Sequence, residues 1–598
     1  MRSDRYRRYV ARPALFAALL SGCGSDSSPP ATSGSTTGSA PPSSASASAR
    51  ASASSGTAPA APHETVGITV VGTNDLHGRI TALPLLGGYL DVIRGARAES
   101  GGGVVLVDAG DMFQGTLESN LLEGKPVRDA YAMLGYAAVA IGNHEFDYGP
   151  VGPAIVPAQP SDDPRGALKA LTKDAPFPFL TANLALKSGG KPDWTNVAPS
   201  MMIANAGVFV GVIGVSTRET LTTTIAPNVA DLAVSPLADA VLAEAKSLRS
   251  SGASVVLVAA HAGGKCKAFG HDDVTDHCET DSEIWDLARA LPEGSVDVIV
   301  AGHTHAGVSH VVNGIPIIES YAYGRAFGRV DLVVDKVDKR VVGRELKPPR
   351  DLCPGVEKPD FTACQPGDYD GAPVVRRADV ASLIAPAVDG ARERRAAKVG
   401  PTLPDGMPKA FDKESPLGNL FADLMLASVP KADIALMNGG GLREDLPRGE
   451  LLYGAFFEAF PFDNRIATVK LTVRDLTTVL ASHLKRGTGG ILSIAGARIV
   501  ARCKDGALDI QLIPKKGKEP LAPDTMVTVV GSDFMFLGGD AFWGDLPVPA
   551  YEISDVLIRD AMERELKSRP SIGVADVFNE KKPRLDLDPK RPMICKPK

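Results

Sequence analysis

Apolar residues along the first half of the chain gather into short runs of strand character, and five of these runs end directly in a residue type that ligates metals. Residues 68–71 lead to Asp75 and His77 in Thr73-Asn74-Asp75-Leu76-His77-Gly78, and residues 104–107 lead to Asp111. Residues 137–141 lead to Gly142-Asn143-His144-Glu145-Phe146-Asp147, residues 255–258 to His261, and residues 298–300 to Gly302-His303-Thr304-His305. Helical patterns lie between, such as 237–250 ahead of the strand 252–260, so residues 66–347 are predicted to form an α/β domain. In open α/β sheets, ligands sit beyond the carboxyl ends of the strands. Strands sharing an edge would gather these Asp, His and Asn side chains into a nest, and in an enzyme such a nest points to metal. Any one of them alone reads as a satisfied polar residue at a strand end; the recurrence argues for metal.

The pattern changes twice. Residues 150–174 are a Pro-rich interruption, predicted as a surface insertion. Residues 348–399 are a linker and connecting helix: a polar stretch to 371, then a helix over 379–398 with Val380, Leu383, Ile384 and Val388 on one face. Its basic run 392–398 reads as a solvated face. A second α/β or α+β domain is predicted over 400–584, followed by a tail, 585–598. Its strands are 466–471, 497–501 and 526–530, and its helices 417–427, 473–483 and 554–568.

Composition narrows the picture. A chain of 598 residues exceeds one core. A net charge of −6 gives no electrostatic footprint for a nucleic-acid polymer. Arg2, Arg5, Arg7 and Arg8 precede a short apolar core, 14–20, the mark of a signal peptide. Leu20-Ser21-Gly22-Cys23 resembles a bacterial lipobox, which implies cleavage before Cys23 and its lipidation; the alternative is an ordinary secretory signal. Residues 1–23 are then signal and lipobox, and the Ser/Ala/Pro-rich 24–65 a disordered tether. No later apolar run reaches the roughly 18 residues of a spanning helix. The expectation is a protein of the bacterial cell envelope, anchored by lipid outside the cytoplasm. The other six cysteines suit an oxidising compartment. Cys266/Cys278 and Cys353/Cys364 look like local staples and leave Cys503 and Cys595 to each other, one among the many pairings that six cysteines permit.

Taken in order, the five motifs resemble the calcineurin-like metallophosphoesterase signature, and Gly142-Asn143-His144-Glu145-Phe146-Asp147 narrows it to the 5′-nucleotidase and UDP-sugar hydrolase branch. The resemblance implies a four-layer α/β/β/α first domain. It implies one divalent ion (Zn, Mn or similar) held by Asp75, His77, Asp111 and His305. A second would be held by Asp111, Asn143, His261 and His303, with Asp111 bridging. Two ions about 3.5–4 Å apart clamp the attacking and leaving oxygens of an in-line displacement. His144 is implied to contact the phosphoryl group, stabilising the transition state or protonating the leaving oxygen, with Asp147 orienting it. A loop cap is the plain alternative for Asp147.

The second half resembles the 5′-nucleotidase C-terminal domain at Leu417-Gly418-Asn419-Leu420, Met437-Asn438-Gly439-Gly440-Gly441-Leu442-Arg443, Phe460-Pro461-Phe462-Asp463-Asn464 and 533–542. That implies Phe462 and Phe534 sandwich a nucleotide base; otherwise both are core residues. Arg443 would bind phosphate or carboxylate as a fork. Asn438 shares its glycine-rich turn, and Asp540 would accept from a ribose hydroxyl or help hold the loop; a structural turn is the plain alternative for the whole segment. Pro416 departs from family members that carry Arg there. The implied function is a 5′-nucleotidase releasing phosphate from nucleoside monophosphates in a cleft between the domains, with the 379–398 helix as connector. Alternatives are a 2′,3′-cyclic nucleotide phosphodiesterase/3′-nucleotidase, a UDP-sugar hydrolase or, from another class, a non-catalytic nucleotide-binding surface lipoprotein.

Overall fold

The five ligand-bearing runs form strands β1 (Thr65–Thr73), β2 (Gly103–Asp108), β3 (Ala138–Ala140), β4 (Val255–His261) and β5 (Val298–Ala301). The structure is a computed structural model that describes residues 64–152, 154–157, 159–270, 277–356, 359–486 and 489–596. The signal peptide, Cys23 and the tether up to residue 63 lie outside the described residues.

The five strands belong to two sheets. β1, β2 and β3 are parallel neighbours in a seven-stranded sheet, flanked by the antiparallel pair Ala326–Asp335 and Arg340–Asp351 on one side and by Phe179–Leu180 and Val197–Ala198 on the other. β4 and β5 are parallel neighbours in a six-stranded sheet that runs from Gly307–Val312 to Ser200–Asn205. Alternation of side chains along each strand sets the layers. Ile68, Val70, Val105, Val107, Val255, Leu257, Val298 and Val300 fill one core between the sheets. Their sequence neighbours point the other way. Val71 and Leu106 pack against helices Leu83–Glu99 and Lys125–Leu134, and Val256, Val258 and Ile299 against Leu237–Ser250 and Glu283–Ala290. The order is helix, sheet, sheet, helix, as the resemblance implied.

The second half is built on a five-stranded sheet with Ile434–Asn438, Met526–Ser532 and Arg465–Thr472 at its centre. Ala435, Met437 and Val530 face helices Pro416–Ser428 and Ile558–Lys567; Ile434, Leu436 and Val529 face Val473–Lys485. Helix α1 (Ala378–Ala396) joins the halves, with Val380, Ile384 and Ala387 in the first domain's outer core and Ala391 in the second's. The three disulfides are Cys266–Cys278, Cys353–Cys364 and Cys503–Cys595.

Four local expectations are corrected. Residues Tyr551–Leu557 form an edge strand on Arg465–Thr472, so the helix expected from 554 starts at Ile558; sheet pairing overrides local helix propensity. The Pro-rich insertion ends in a helix, Gly166–Asp174, that buries Ala167, Leu168 and Leu171, because those residues share one helical face. The basic end of α1 is not simply solvated: Arg394 lies over Tyr453 and pairs with Glu563, and Arg395 pairs with Glu118 and Glu458. Residues Leu585–Asp588 extend the sheet at Ala497–Lys504, and Met593 is buried in the same core.

Candidate active site

The loops that leave β1 to β5 meet in one place. Five candidate ligands hold left-handed backbone there: Asp75, His77, Asp111, His303 and His305 have φ of 49°, 48°, 59°, 77° and 57°. Each such residue costs on the order of 1–2 kcal/mol, so the surrounding structure must impose the turns. Two groups result. Asp75, His77 and His305 place their ligand atoms within 4.8 Å of one another, as do Asp111, His261 and His303.

His77 Nε2 lies 3.1 Å from His305 Nε2 and 3.9 Å from Asp111 Oδ2. His261 Nε2 lies 3.2 Å from Asp111 Oδ2 and 2.9 Å from Asn143 Oδ1. The far ring nitrogens are used: His77 Nδ1 donates to the Gln114 carbonyl and His261 Nδ1 to that of Ala109, both at 2.8 Å. That turns Nε2 of each ring towards the nest, where it ligates a cation once it carries no proton. Asp75 Oδ1 is buried without a hydrogen-bond partner, 3.3 Å from His305 Nε2. Carboxylate oxygens and imidazole lone pairs converging at this spacing suit divalent cations. Burial pushes the Asp75 and Asp111 carboxyls up, but His305 beside Asp75 and His261 beside Asp111 outweigh it and hold both below the usual carboxylate range.

His144 sits beside the nest, its backbone N–H donating to Asp111 Oδ1 at 2.8 Å. Its Nδ1 meets Asp147 Oδ2 at 2.6 Å, and Asp147 Oδ1 accepts from the Thr224 hydroxyl at 2.8 Å. Burial lowers the His144 pKa, but the Asp147 and Asp111 carboxylates raise it above its ordinary value.

From the second domain, the half-buried Arg443 guanidinium approaches His77 Nε2 at 3.0 Å and His305 Nε2 at 3.4 Å. Phe462 stacks on His144 with ring centroids 5.6 Å apart. Asn438 Nδ2 donates to Asp540 Oδ2 at 2.8 Å, and Asp540 N–H donates to the Thr222 carbonyl of the first domain at 2.7 Å. Phe534 is half-buried at the margin of the second domain's core, with its ring over Gly539 next to Asp540. Arg443 and Phe462 thus reach the metal nest, while Asn438 and Asp540 form a pair of their own. Pro416 opens its helix behind the Ser415 cap, where its fixed φ suits the first turn, and brings no charge.

Sequence inspection missed Tyr323, whose ring lies 5.4 Å from that of His77 and 5.2 Å from that of His305, and Thr224, which holds Asp147. Neither stands in a motif; Thr224 is one of three successive threonines with no local signal to single it out.

Comparison with known proteins agrees with this architecture. Residues 68–307 match the family model for calcineurin-like phosphoesterases, and residues 398–544 that for the 5′-nucleotidase C-terminal domain. The chain is 30% identical over 493 residues to endonuclease YhcR of Bacillus subtilis, covering 79% of this chain but 37% of that one, so it spans little more than a third of this relative's length. It is 26% identical over 515 residues to protein UshA of Escherichia coli, covering 80% of this chain and 87% of that one. The fold superposes on a 5′-nucleotidase precursor from Thermus thermophilus with a TM-score of 0.66 at 21% identity, covering 85% of this chain and 99% of that one. A calcineurin-like phosphoesterase domain joined to a 5′-nucleotidase C-terminal domain places the chain in the 5′-nucleotidase-type family of metal-dependent phosphoester hydrolases.

Proposed function

We propose that the chain is a 5′-nucleotidase that releases phosphate from nucleoside monophosphates outside the cytoplasm, tethered to a membrane through lipid on Cys23. The observation that carries the catalytic part is the convergence of Asp75, His77 and His305 with Asp111, His261 and His303, faced by Arg443 and Phe462 of the second domain. In this reading Asp75, His77, Asp111 and His305 hold one divalent cation, and Asp111, Asn143, His261 and His303 the other. When bound, such a pair supplies positive charge against both oxygens of an in-line displacement and makes water nucleophilic near neutral pH.

The remaining steps belong to the chain's own groups. His144 gives its Nδ1–H to Asp147 and turns Nε2 towards the phosphoryl group, where a proton meets the charge that gathers on the leaving oxygen. Arg443 binds the phosphate as a rigid fork. Phe462 and Phe534 stack on the base, and Asn438 and Asp540 meet the sugar. Among the described residues no helix is long and apolar enough to cross a membrane, so attachment in this reading rests on Cys23.

Turnover tests the assignment on chelated protein given Mn²⁺ or Zn²⁺: phosphate release is followed for AMP, 3′-AMP and p-nitrophenyl phosphate, and chromatography follows the nucleotide formed from 2′,3′-cyclic AMP and the UMP and glucose 1-phosphate formed from UDP-glucose. AMP is expected to lead by about tenfold or more in kcat/KM, and Asp111→Ala to abolish every activity in a folded protein. Faster turnover of the cyclic nucleotide or the UDP-sugar would reassign the substrate. AMP binding without turnover by the metal-loaded chain would sink the enzymatic reading. The mass of the N-terminal peptide from membranes tests lipidation of Cys23.

A further inference from the structure

We propose that two buried glutamates outside the ligand set, Glu145 and Glu319, are positioning residues that lock the metal-bearing loops in pairs, one pair in each sheet. The inference rests on the dimetal reading above and adds to it residues that touch neither metal nor substrate.

Glu145 joins the loops after β2 and β3. Its Oε2 accepts from the backbone N–H of Asp111 at 2.9 Å and of Gly142 at 2.7 Å, and its Oε1 accepts from Met112 N–H at 2.8 Å. Glu319 plays the same part in the second sheet. It stands on Ile315–Ser320, the strand beside β5. Its Oε1 accepts from the Thr304 hydroxyl at 2.6 Å and from Ala306 N–H at 3.3 Å, and its Oε2 accepts from Gly264 N–H at 3.2 Å. Thr304 lies between His303 and His305, and Gly264 lies three residues past His261. One carboxylate therefore ties the β4 loop to the β5 loop, as the other ties β2 to β3.

The sheets cannot do this themselves. β2 and β3 pair only at Val107–Ala138 and Asp108–Val139, and β4 and β5 only as far as Ala260–Ala301. The ligands lie beyond those last rungs, and Asp111, His303 and His305 stand there in left-handed turns that persist only when neighbours over-determine them. Packing leaves no slack around either clamp. A Cβ on Gly142 would lie 2.3 Å from Asp111 Oδ1 and 2.9 Å from Glu145 Oε2; one on Gly263 would lie 2.5 Å from Glu319 Oε2. Both carboxyls are at most 1% exposed and lie close to other acids, Asp111 beside Glu145 and Asp75 near Glu319. An acid buried among acids is a poor device for stability alone. What these two supply is acceptor capacity: two oxygens that take several N–H or O–H donors from two loops at once.

The geometry separates this role from mere packing. In Glu145→Gln the amide NH₂ faces at least one N–H donor whichever way it turns, and with the oxygen kept for Asp111 and Gly142 it stands against Met112 N–H, held at 2.8 Å by the carboxylate. In Glu319→Gln the amide oxygen keeps Thr304 and Ala306, and the NH₂ meets only Gly264 N–H, at a looser 3.2 Å than the Met112 contact. Titration of Mn²⁺ into the chelated full-length chain, followed by calorimetry and by bound-metal content, reads the effect without substrate. Glu145→Gln and Glu319→Ala are expected to weaken binding about 10–100-fold, the usual effect of losing a partner behind a metal site, with Glu319→Gln within about threefold of the parent. At saturating Mn²⁺ the KM for AMP should stay within about twofold. Folded Glu145→Gln and Glu319→Ala proteins that bind Mn²⁺ as the parent does would overturn the proposal. So would equal losses in Glu319→Gln and Glu319→Ala matched by equal falls in the melting temperature of the chelated forms. A parent chain that binds no Mn²⁺ would instead refute the dimetal reading itself.

Discussion

Asp147→Asn is the sharpest probe of the chemistry, because it removes a charge and keeps a shape. The carboxylate has two partners, His144 Nδ1 at 2.6 Å and the Thr224 hydroxyl at 2.8 Å. An asparagine can reproduce both contacts: its oxygen accepts from His144 and its NH₂ meets the Thr224 oxygen. What it cannot do is favour the imidazolium. A hydrogen bond to a charged group contributes about 1.5–3 kcal/mol against about 1 for a neutral one. The substitution should therefore raise the barrier by about 1–2 kcal/mol, a fall of about 5–30-fold in kcat on AMP. The assay is steady-state phosphate release at saturating Mn²⁺, with metal content and melting temperature checked. p-Nitrophenyl phosphate provides the contrast, since its leaving group departs without a proton, and its kcat should change by less than about threefold. An unchanged kcat on AMP in a metal-loaded variant would refute the dyad. Equal losses on both substrates would refute proton delivery to the leaving oxygen.

Two further outcomes follow from the second domain. Phe462→Ala should raise the KM for AMP by about 5–150-fold, the equivalent of about 1–3 kcal/mol of base stacking; a matching rise for p-nitrophenyl phosphate would count against stacking, since that substrate has no base. His483 is held neutral. Burial, the Arg486 charge and the Arg486 donor into Nδ1 at 2.8 Å push its pKa down to about 3, while Nε2 donates to the Phe542 carbonyl. Its folded pKa lies below the unfolded value of 6.5, so the unfolded chain takes up a proton that the folded chain refuses, and stability is lost as pH falls from 6.5 towards 3. Between about pH 7.5 and about pH 5.5 the loss is about 1.4 kcal/mol. Urea denaturation of the parent and of His483→Asn at both pH values checks it: the variant should lack that increment, and identical pH slopes would dismiss the assignment.

Much of the site was legible along the chain. Strand character in the five runs, the residue types that end them and their order needed no tertiary information, because alternation and β-branching are local properties of the backbone. Glu145 stood in a motif without an evident task. Glu319 carried a faint signal, a lone acid at the end of the apolar run Ile315-Pro316-Ile317-Ile318. The edge strand Tyr551–Leu557 was illegible, because an exposed strand owes its conformation to the neighbour it pairs with.

The amino-acid order by itself determined which side chains could ligate, where the five ligand-bearing strands stop and that the chain has two halves. Only the packed structure decided who meets whom. Two sheets closing over one core bring His303 N–H to Asp75 Oδ2 across 228 residues, and the second domain brings Arg443 to His77 across 366. Contacts at such separations have no local cause: they exist because burying apolar faces fixes the sheets against each other, and the strand ends are carried along.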